Sequence, residues 1–370
     1  MTTLNLDSAG LWLGRVERPG IGPCVVTLRE GQVVDITTKK APTVRDILER
    51  DDAADYVRSA PGEAIGPVES EHEWLAPCDL QSVKACGVTF AGSMVERVIE
   101  EQAAGDPAKA EAIRARIGAR IGDSLSNITP GSDEAAQVKQ ALIDEGLWSP
   151  YLEVGIGPDA EVFSKAQVLS SVGFGAEIGL HPISTWNNPE PEVVLAVNSQ
   201  GQIKGATLGN DVNLRDVEGR SALLLSKAKD NNASCSIGPM IRLFDDSYTL
   251  DDVRQAELTL TVNGPDGFVL NGASSMSQIS RDPADLVKQT IGRHHQYPDG
   301  FMLFLGTLFA PTQDRDTPGG GFTHKLGDVV TIANDQLGAL TNTVRLSTEC
   351  PEWRFGSSHL MRNLAERGLL

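Results

Sequence analysis

Two glutamates at the head of a predicted strand have the spacing of metal ligands. Glu190 and Glu192 stand two residues apart in the run PEPEVVLAV. Side chains two positions apart on a strand leave the same face, so both carboxylates point toward one place. A third carboxylate, Asp211, follows 19 residues after Glu192, and a hairpin that turns at Ser199 to Gly201 would return it beside the pair. Three converging carboxylates predict a metal site.

The metal predicted for this set is a hard divalent cation. Like charges held close together repel each other unless a cation neutralises them or one of them stays protonated. Carboxylate and water oxygens suit Mg²⁺, Mn²⁺ or Ca²⁺ better than zinc, and no Cys or His is nearby in the sequence. We expect Mg²⁺ first, with Mn²⁺ and Ca²⁺ as alternatives. The competing interpretation is that Glu190 and Glu192 form a solvated strand face.

The composition indicates a globular protein and argues against two classes of partner. The chain has 370 residues, of which 40% are hydrophobic and 22% charged, and this length favours two domains. A formal net charge of −18 argues against nucleic-acid and anionic-membrane partners, because both attract basic surfaces. An anionic substrate would therefore need a local cation.

The ends and the cysteines predict a cytoplasmic protein. The N-terminus lacks a basic start followed by an apolar core, so no secretory signal is expected. The most apolar stretch, Phe301 to Ala310, is too short to span a bilayer and predicts a buried strand. No C-x-x-C pair occurs, and the odd number of cysteines favours reduced thiols in the core: Cys24, Cys78, Cys86, Cys235 and Cys350.

The pattern along the chain predicts a small N-terminal unit. Strand patterns at Leu11 to Arg15, Cys24 to Leu28 and Val33 to Ile36 precede a helix at Thr43 to Glu49. The following stretch, Pro61 to Trp74, has the Gly, Pro and acidic residues of a linker. We therefore predict an N-terminal α/β domain over residues 1–75 and a catalytic domain over residues 76–370.

Residues 91–146 predict a helical insert in the second domain. One apolar stripe repeats every four residues, at Ile113, Ile117, Ile121 and Leu125. A second stripe of Ala135, Val138 and Leu142 follows Ser132 as a cap, and Gly146 ends that helix. The insert is expected to be either a mobile lid or a packed appendage. We favour a partly packed insert.

The rest of the chain predicts a mainly β catalytic domain. After Trp148, short strands alternate with Gly, Asn and Pro up to about Val344, interrupted by one helix that begins at Asp282–Pro283 and ends near Gly292. The predicted fold class is therefore α+β and mainly β, with the helices concentrated in the insert.

Several motifs in family order then point to one family: STWNNPEPEVVLAV, GNDVNLRDVEG, KAKDNNASCSIGP, HQYPDGFMLFLGT and HKLGDVV. From about Glu161 to Val344 the chain resembles the fumarylacetoacetate hydrolase family, and within it the 2-keto-3-deoxy sugar-acid dehydratases. The resemblance implies a mixed β-sandwich or roll for the C-terminal domain. It also implies a homodimer or homotetramer.

The resemblance places the family's carboxylate ligands on Glu190, Glu192 and Asp211, the triad that the spacing selects. It places a pocket lysine on Lys229 and a threonine on Thr307. A surface lysine and a strand-end hydroxyl are the alternatives for these two residues. Ser93 and Arg215 are further candidates for substrate binding.

Departures from the hydrolase members bear on the reaction. In those enzymes a strand end like Gly87 to Phe90 leads to a histidine that activates water, and here Ser93 follows Ala91 and Gly92. The chain also has Glu218 where the hydrolases have glutamine. In this respect it resembles the dehydratases. Glu161 matches a carboxylate that the dehydratases place near the substrate, with an exposed strand-start acid as the alternative.

These features predict a hydro-lyase. The resemblance implies Mg²⁺-dependent dehydration of a 2-keto-3-deoxypentonate, derived from xylonate or arabinonate, to 2-oxoglutarate semialdehyde in pentose catabolism. Glu161 is the predicted acid or base, assisted by Glu218 and Lys229. Two alternatives stay open: a hydrolase that cleaves a carbon–carbon bond of a 2,4-diketo acid, and a keto-acid binding module without activity.

Overall fold

Two β-sheets form the frame of the protein. The computed structural model describes residues 4–114, 128–318 and 320–370. The strands in these ranges are β1 Trp12–Arg18, β2 Gly22–Arg29, β3 Gln32–Asp35, β4 Glu63–Pro67, β5 Glu73–Leu75, β6 Ser82–Gly87, β7 Glu161–Ala166, β8 Glu177–Leu180, β9 Pro191–Val197, β10 Ile203–Asp211, β11 Cys235–Leu243, β12 Glu257–Asn263, β13 Val269–Ser275, β14 Phe301–Phe304, β15 Val329–Asn334 and β16 Gly338–Leu346.

Helices lie at the edges and on the faces of these sheets. Those with both ends described are α1 Val44–Leu48, α2 Ala53–Ser59, α3 Ala91–Gln102, α4 Asp133–Asp144, α5 Pro150–Ile156, α6 Arg215–Glu218, α7 Leu225–Lys229, α8 Leu250–Arg254, α9 Pro283–Thr290 and α10 Ser357–Glu366. Within the described ranges, every helix is too short or too polar to cross a membrane.

The larger sheet has 11 strands in the order β4-β3-β2-β1-β11-β10-β9-β14-β6-β7, with β5 paired to β1. Its β14–β6 pair is parallel, and the other strand pairs of this order are antiparallel. The smaller sheet has five strands in the order β13-β12-β15-β16-β8. Two mixed sheets with added helices confirm the predicted mixed fold class.

Strand β9 is buried on both faces and forms the centre of the molecule. Val193, Leu195 and Val197 pack into the larger apolar cluster, whereas Val194 and Ala196 pack into a second cluster on the opposite face. This alternation follows from the period of two along a strand. It explains why VVLAV is an uninterrupted apolar run, and it makes β9 a rigid support for the two glutamates at its start.

The predicted hairpin after β9 is present. Strands β9 and β10 pair in antiparallel register, with Gly209 opposite Glu192. Gly201 lies in the turn at φ +78°, a conformation that favours glycine. The Asp211 amide donates to the Glu190 carbonyl at 3.1 Å. The turn therefore brings Asp211 next to the glutamates, as the sequence predicted.

The stretch predicted as a linker is not irregular. Residues 61–74 contain β4 and most of β5, which pair with β3 and β1. Each of these strands is short, and Gly66 at φ +136° accompanies a register shift in β4, so the local pattern resembles a loop. The larger sheet also runs without a break from β1 to β11. The division at residue 75 stays a prediction.

The helical insert is packed against the rest of the protein. Its buried apolar side chains include Val98 on α3 and Leu142 on α4, which pack against Leu152 on α5 and Trp186, both from outside the insert. Ser132 caps α4 through the Ala135 amide at 3.1 Å, so the second predicted stripe is confirmed. Of the first stripe, Ile113 is partly buried. Ile117, Ile121 and Leu125 lie outside the described residues.

All five cysteines are buried free thiols, as expected from their odd number and spacing. The predicted buried strand at residues 301–310 is present over Phe301–Phe304. The predicted helix after Asp282 is also present. Asp282 caps α9 through the Ala284 amide at 2.8 Å, with Pro283 in its first turn.

Candidate metal and substrate site

Three carboxylates meet at the open end of the β9–β10 hairpin. One oxygen from each of Glu190, Glu192 and Asp211 lies within 4.8 Å of the others. Their exposed fractions are 1%, 0% and 1%, so the alternative of a solvated strand face is wrong. Such a cluster of buried oxygens has the size and chemistry of a site for a hard divalent cation.

Two lysines neutralise part of the triad. Lys229 at the end of α7 is 2% exposed, and its Nζ contacts Glu190 and lies 3.0 Å from Asp211 Oδ2. Lys165 on β7 is fully buried, and its Nζ lies 3.0 Å from Asp211 Oδ1. The alternative of a surface position for Lys229 is therefore wrong. Burial lowers the pKa of Lys229, but Asp211 and Glu190 more than offset this effect and raise it, so the ammonium stays charged.

Glu192 has only neutral partners. Its Oε2 accepts the Gly306 amide at 2.7 Å, and its Oε1 accepts the Thr307 hydroxyl at 3.3 Å. No cation within the described ranges forms an ion pair with this carboxylate. Burial, followed by Asp211 and Glu190, raises the pKa of Glu192 well above its ordinary value. A buried carboxylate without a cationic partner is the observation that best fits a metal ion.

Gly306 holds the strand end beside Glu192. Its φ is +104°, and a Cβ built there would lie 2.0 Å from Thr89 Oγ1. Thr89 in turn donates to the Leu305 carbonyl at 2.7 Å. The glycine therefore allows the close approach that aims its amide at Glu192. Thr307 follows directly in the sequence. It lines a pocket that Glu190 and Asp211 also line.

The carboxylate of Glu161 lies at the pocket wall on β7. Glu161 pairs with Gly87 across β6, and a Cβ on Gly87 would lie 1.9 Å from its Oε2. Burial raises the pKa of Glu161, partly offset by Arg97 and Lys229. The residue lines the pocket and is partly buried, which contradicts the alternative of an exposed acid.

Glu218 and Arg97 also line the pocket and form an ion pair. Arg97 Nη1 lies 3.0 Å from Glu218 Oε2, and Arg97 Nη2 donates to Glu190 Oε1 at 2.5 Å. Burial raises the pKa of Glu218 to about 7, although Arg97 and Lys229 act in the opposite direction. Glu218 is thus a carboxyl that can hold a proton near neutral pH.

Ser93 lies in the pocket, whereas Arg215 lies behind its wall. Ser93 lines the pocket and donates its hydroxyl to the Phe90 carbonyl at 2.8 Å. Arg215 is absent from the lining residues. Its Nε donates to Glu100 at 2.6 Å, and its guanidinium stacks on Trp186 at 4.5 Å. The prediction that Arg215 binds the substrate directly is therefore corrected. The residue supports the pocket wall through Glu100.

The charges of the cluster do not balance among protein groups alone. Seven carboxylates face five cations in and around the described pocket: Glu96, Glu100, Glu161, Glu190, Glu192, Asp211 and Glu218 against Arg97, Arg114, Lys165, Arg215 and Lys229. A divalent cation would neutralise the difference of two charges when all seven carboxylates are ionised. The residues present therefore fit a divalent metal.

Two important residues were missed by sequence reasoning. Lys165 lies four positions after Glu161 on the same strand, so strand spacing could have suggested a shared face. Arg97 lies on the polar side of an amphipathic helix pattern, and nothing in that pattern says that the polar side is buried. Both residues contact the triad only through tertiary packing.

In this protein a mixed β-fold places a carboxylate triad and a lysine together at one strand end. The chain belongs to the fumarylacetoacetate hydrolase family: residues 161–345 match the family described as "Fumarylacetoacetate (FAA) hydrolase C-terminal". The match covers almost the same residues as the resemblance found in the sequence.

Two curated relatives carry the names of dehydratases. The chain is 32% identical over 213 residues to "Probable 2-keto-3-deoxyxylonate dehydratase" of Haloferax volcanii, which covers 58% of this chain and 68% of the relative. It is 30% identical over 188 residues to "2-dehydro-3-deoxy-D-arabinonate dehydratase" of Saccharolobus solfataricus, which covers 50% of this chain and 58% of that protein. These names support the prediction of an enzyme of the dehydratase class.

Solved structures show the same fold over most of the chain. One is "2-keto-3-deoxy-D-arabinonate dehydratase complexed with magnesium and 2,5-dioxopentanoate", at 20% identity and a TM-score of 0.61. The apo form of that dehydratase gives a TM-score of 0.62 at 19% identity. Both similarities cover 90% of this chain and 99% of the solved chain. At 19% and 20% identity, these two similarities establish the fold alone.

Proposed function

We propose that the protein is a metal-dependent dehydratase that converts a 2-keto-3-deoxypentonate, of the xylonate or arabinonate type, to 2-oxoglutarate semialdehyde. The observation that carries this proposal is the buried triad of Glu190, Glu192 and Asp211 beside Lys229, with the carboxyls of Glu161 and Glu218 on the same pocket. The names of the two curated relatives support it. So does the neighbour complexed with magnesium and 2,5-dioxopentanoate, another name for this product.

The triad and Lys229 would hold the acidic end of the substrate. Glu190, Glu192 and Asp211 bind the metal in this proposal, with Mg²⁺ first and Mn²⁺ or Ca²⁺ as alternatives. A bound divalent cation supplies Lewis acidity toward the ketone of a 2-keto acid. Lys229, Thr307 and Ser93 line the pocket and supply one charge and two hydroxyls for the carboxylate and hydroxyl groups of the substrate.

Glu161 and Glu218 would move the protons. Loss of water removes a proton from the methylene carbon and the hydroxyl group from the next carbon, and the hydroxyl leaves only with a proton donor. The double bond of the enone then moves toward the terminal alcohol, and the resulting enol becomes the aldehyde. Burial raises the pKa of both carboxyls, that of Glu218 to about 7, and a raised pKa favours the protonated form that can donate a proton.

The pocket favours dehydration over hydrolysis. Among its described lining residues there is no imidazole to activate water. Ser93 occupies the place where the hydrolases have histidine, and a serine hydroxyl cannot act as a base near neutral pH. The hydrolase and the inactive binding module are therefore the alternatives that an experiment should separate.

Product analysis tests the proposal. We expect purified protein with Mg²⁺ and a panel of 2-keto-3-deoxypentonates to give a product that is one water lighter, as measured by mass spectrometry. Glu192→Gln with the same panel is the control, and it should be inactive. Two smaller fragments from a 2,4-diketo acid would instead indicate a hydrolase. Unchanged ligands would indicate a binding module.

Two further statements stay predictions. We expect a cytoplasmic protein, from its reduced cysteines, and a homodimer or homotetramer, from the family resemblance. Fractionation of cells and light scattering of the purified protein would test them.

A further inference from the structure

The helical insert contributes a guanidinium to the site. Arg97 lies on α3, and its side chain is 12% exposed. One of its terminal nitrogens donates to the candidate metal ligand Glu190 at 2.5 Å. The other lies 2.6 Å from Glu100 Oε2 and 3.0 Å from Glu218 Oε2. One planar group therefore contacts a metal ligand and a proposed proton carrier together.

Glu218 depends on its contact with Arg97 more than the metal ligand Glu190 does. Its carboxylate is 4% exposed, and Arg97 is its ion-pair partner in the described part of the chain. Its Oε2 has no hydrogen bond of good geometry, so the ion pair is what holds that oxygen. Glu190, in contrast, also contacts Lys229.

Arg97 is itself held in place by contacts outside the triad. Glu100 binds Arg97 on one side and Arg215 on the other, at 2.6 Å in each case. Arg215 in turn stacks on Trp186 and donates to the Pro311 carbonyl at 3.2 Å. Another face of α3 is fixed by Val98, which packs in the apolar core of the insert. The guanidinium is therefore preorganised rather than free to follow a ligand.

We propose that Arg97 is a positioning residue, which fixes the carboxylates of Glu190 and Glu218 relative to each other and so makes the helical insert part of the site. The planar fork of an arginine can bridge two carboxylates through different nitrogens, whereas a lysine offers a single point of charge. The effect on Glu190 concerns metal binding and does not depend on which reaction the protein catalyses. The effect on Glu218 rests on the proposed function.

The test compares Arg97→Lys with Arg114→Lys. Both arginines belong to the insert and form ion pairs, but Arg114 pairs with Glu96 and Glu111 and does not contact the triad. The charge is retained in both variants, so only the geometry changes. Mg²⁺ affinity is measured by titration calorimetry, and kcat and KM are measured separately with the substrate found by product analysis.

We expect Arg97→Lys to bind Mg²⁺ about tenfold more weakly, as is typical when a group that orients a metal ligand is lost. It should also lower kcat by a larger factor than it raises KM, because Glu218 is no longer held. Arg114→Lys should match the wild type in both. Wild-type Mg²⁺ affinity in Arg97→Lys would overturn the proposal whatever the reaction proves to be.

A second variant keeps the test decisive if Arg97→Lys does not fold, which circular dichroism would show. Glu100→Gln loosens Arg97 without altering the triad, and we expect it to weaken Mg²⁺ binding severalfold. Unchanged affinity in that variant would likewise overturn the proposal. If the wild type binds Mg²⁺ but forms no dehydrated product, the proposed function fails while the positioning of Glu190 is still tested.

Discussion

At the scale of single residues, burial gives the two proposed proton carriers their chemistry. Glu161 and Glu218 line one pocket, and for each of them burial is the largest cause of the raised pKa. Arg97 and Lys229 act in the opposite direction on both carboxyls. An exposed glutamate would be fully ionised at pH 7 and could not donate a proton.

Substitution of Glu161 separates chemistry from metal binding. Glu161→Gln keeps the size of the side chain but cannot exchange a proton, so we expect turnover to fall by roughly a hundredfold or more. Mg²⁺ affinity should be retained, because Glu161 is not one of the three clustered ligands. Initial rates and calorimetry measure the two effects. Near-normal turnover would remove Glu161 from this role.

At the scale of elements, sequence patterns predicted structure well wherever the cause is local. Thr43 and Glu49, the predicted limits of the first helix, are the caps of α1. The β9–β10 hairpin was predictable because a turn sequence separates two apolar runs. The strands of residues 61–74 were missed, since their pairing with β3 and β1 is a tertiary effect that their Gly- and Pro-rich sequence does not indicate.

The candidate site shows the same limit. The triad was predictable because strand spacing and one hairpin bring its members together. Lys165 and Arg97 were not, because β7 and the insert helix α3 reach the triad only through packing. Arg215 was predicted to bind the substrate, but its side chain lies behind the pocket wall, where it donates to Glu100.

The end of strand β14 links backbone conformation to the site. Gly306→Ala would place a Cβ at φ +104° and 2.0 Å from Thr89 Oγ1. We expect a loss of at least about 1–2 kcal/mol in the free energy of unfolding from the strained conformation. Displacement of the amide that binds Glu192 should also weaken Mg²⁺ binding about tenfold. Denaturant titration and calorimetry measure the two effects.

Gly31→Ala is the matched control for that prediction. Gly31 lies in the β2–β3 turn at φ +75°, and a Cβ there would meet no atom within 4 Å. It should lose stability through strain alone and keep full Mg²⁺ affinity. Equal Mg²⁺ affinity in the Gly306 and Gly31 variants would show that the Gly306 amide does not help to shape the site.

At the scale of the whole molecule, one sheet joins the regions that the sequence divides at residue 75. Strand β1 from the N-terminal part pairs with β11, which pairs with the ligand-bearing β10. The apolar cluster that contains Val194 also contains residues of α1, such as Val44 and Ile47. The N-terminal part therefore supports the central hairpin, and we propose that it is needed for metal binding as well as for folding.

Metal removal is the prediction that involves the whole molecule. Binding of Mg²⁺ to the folded state alone adds about 2.7 kcal/mol to the free energy of unfolding at 100 times Kd. A protein with a net charge of −18 is also stabilised by screening of its surface charges. We therefore compare MgCl₂ with NaCl of equal ionic strength, after treatment with a chelator. Denaturant titration should show a larger gain with MgCl₂.

Glu192→Gln distinguishes the buried site from the acidic surface. The surface charge is almost unchanged in this variant, so any general effect of salt should persist, whereas the specific gain with Mg²⁺ should disappear. The metal-free variant should be at least as stable as the metal-free wild type, because a buried carboxylate with only neutral partners is replaced by an amide. If Mg²⁺ stabilises Glu192→Gln as much as the wild type, Glu192 is not a ligand. The ion would then act on the surface.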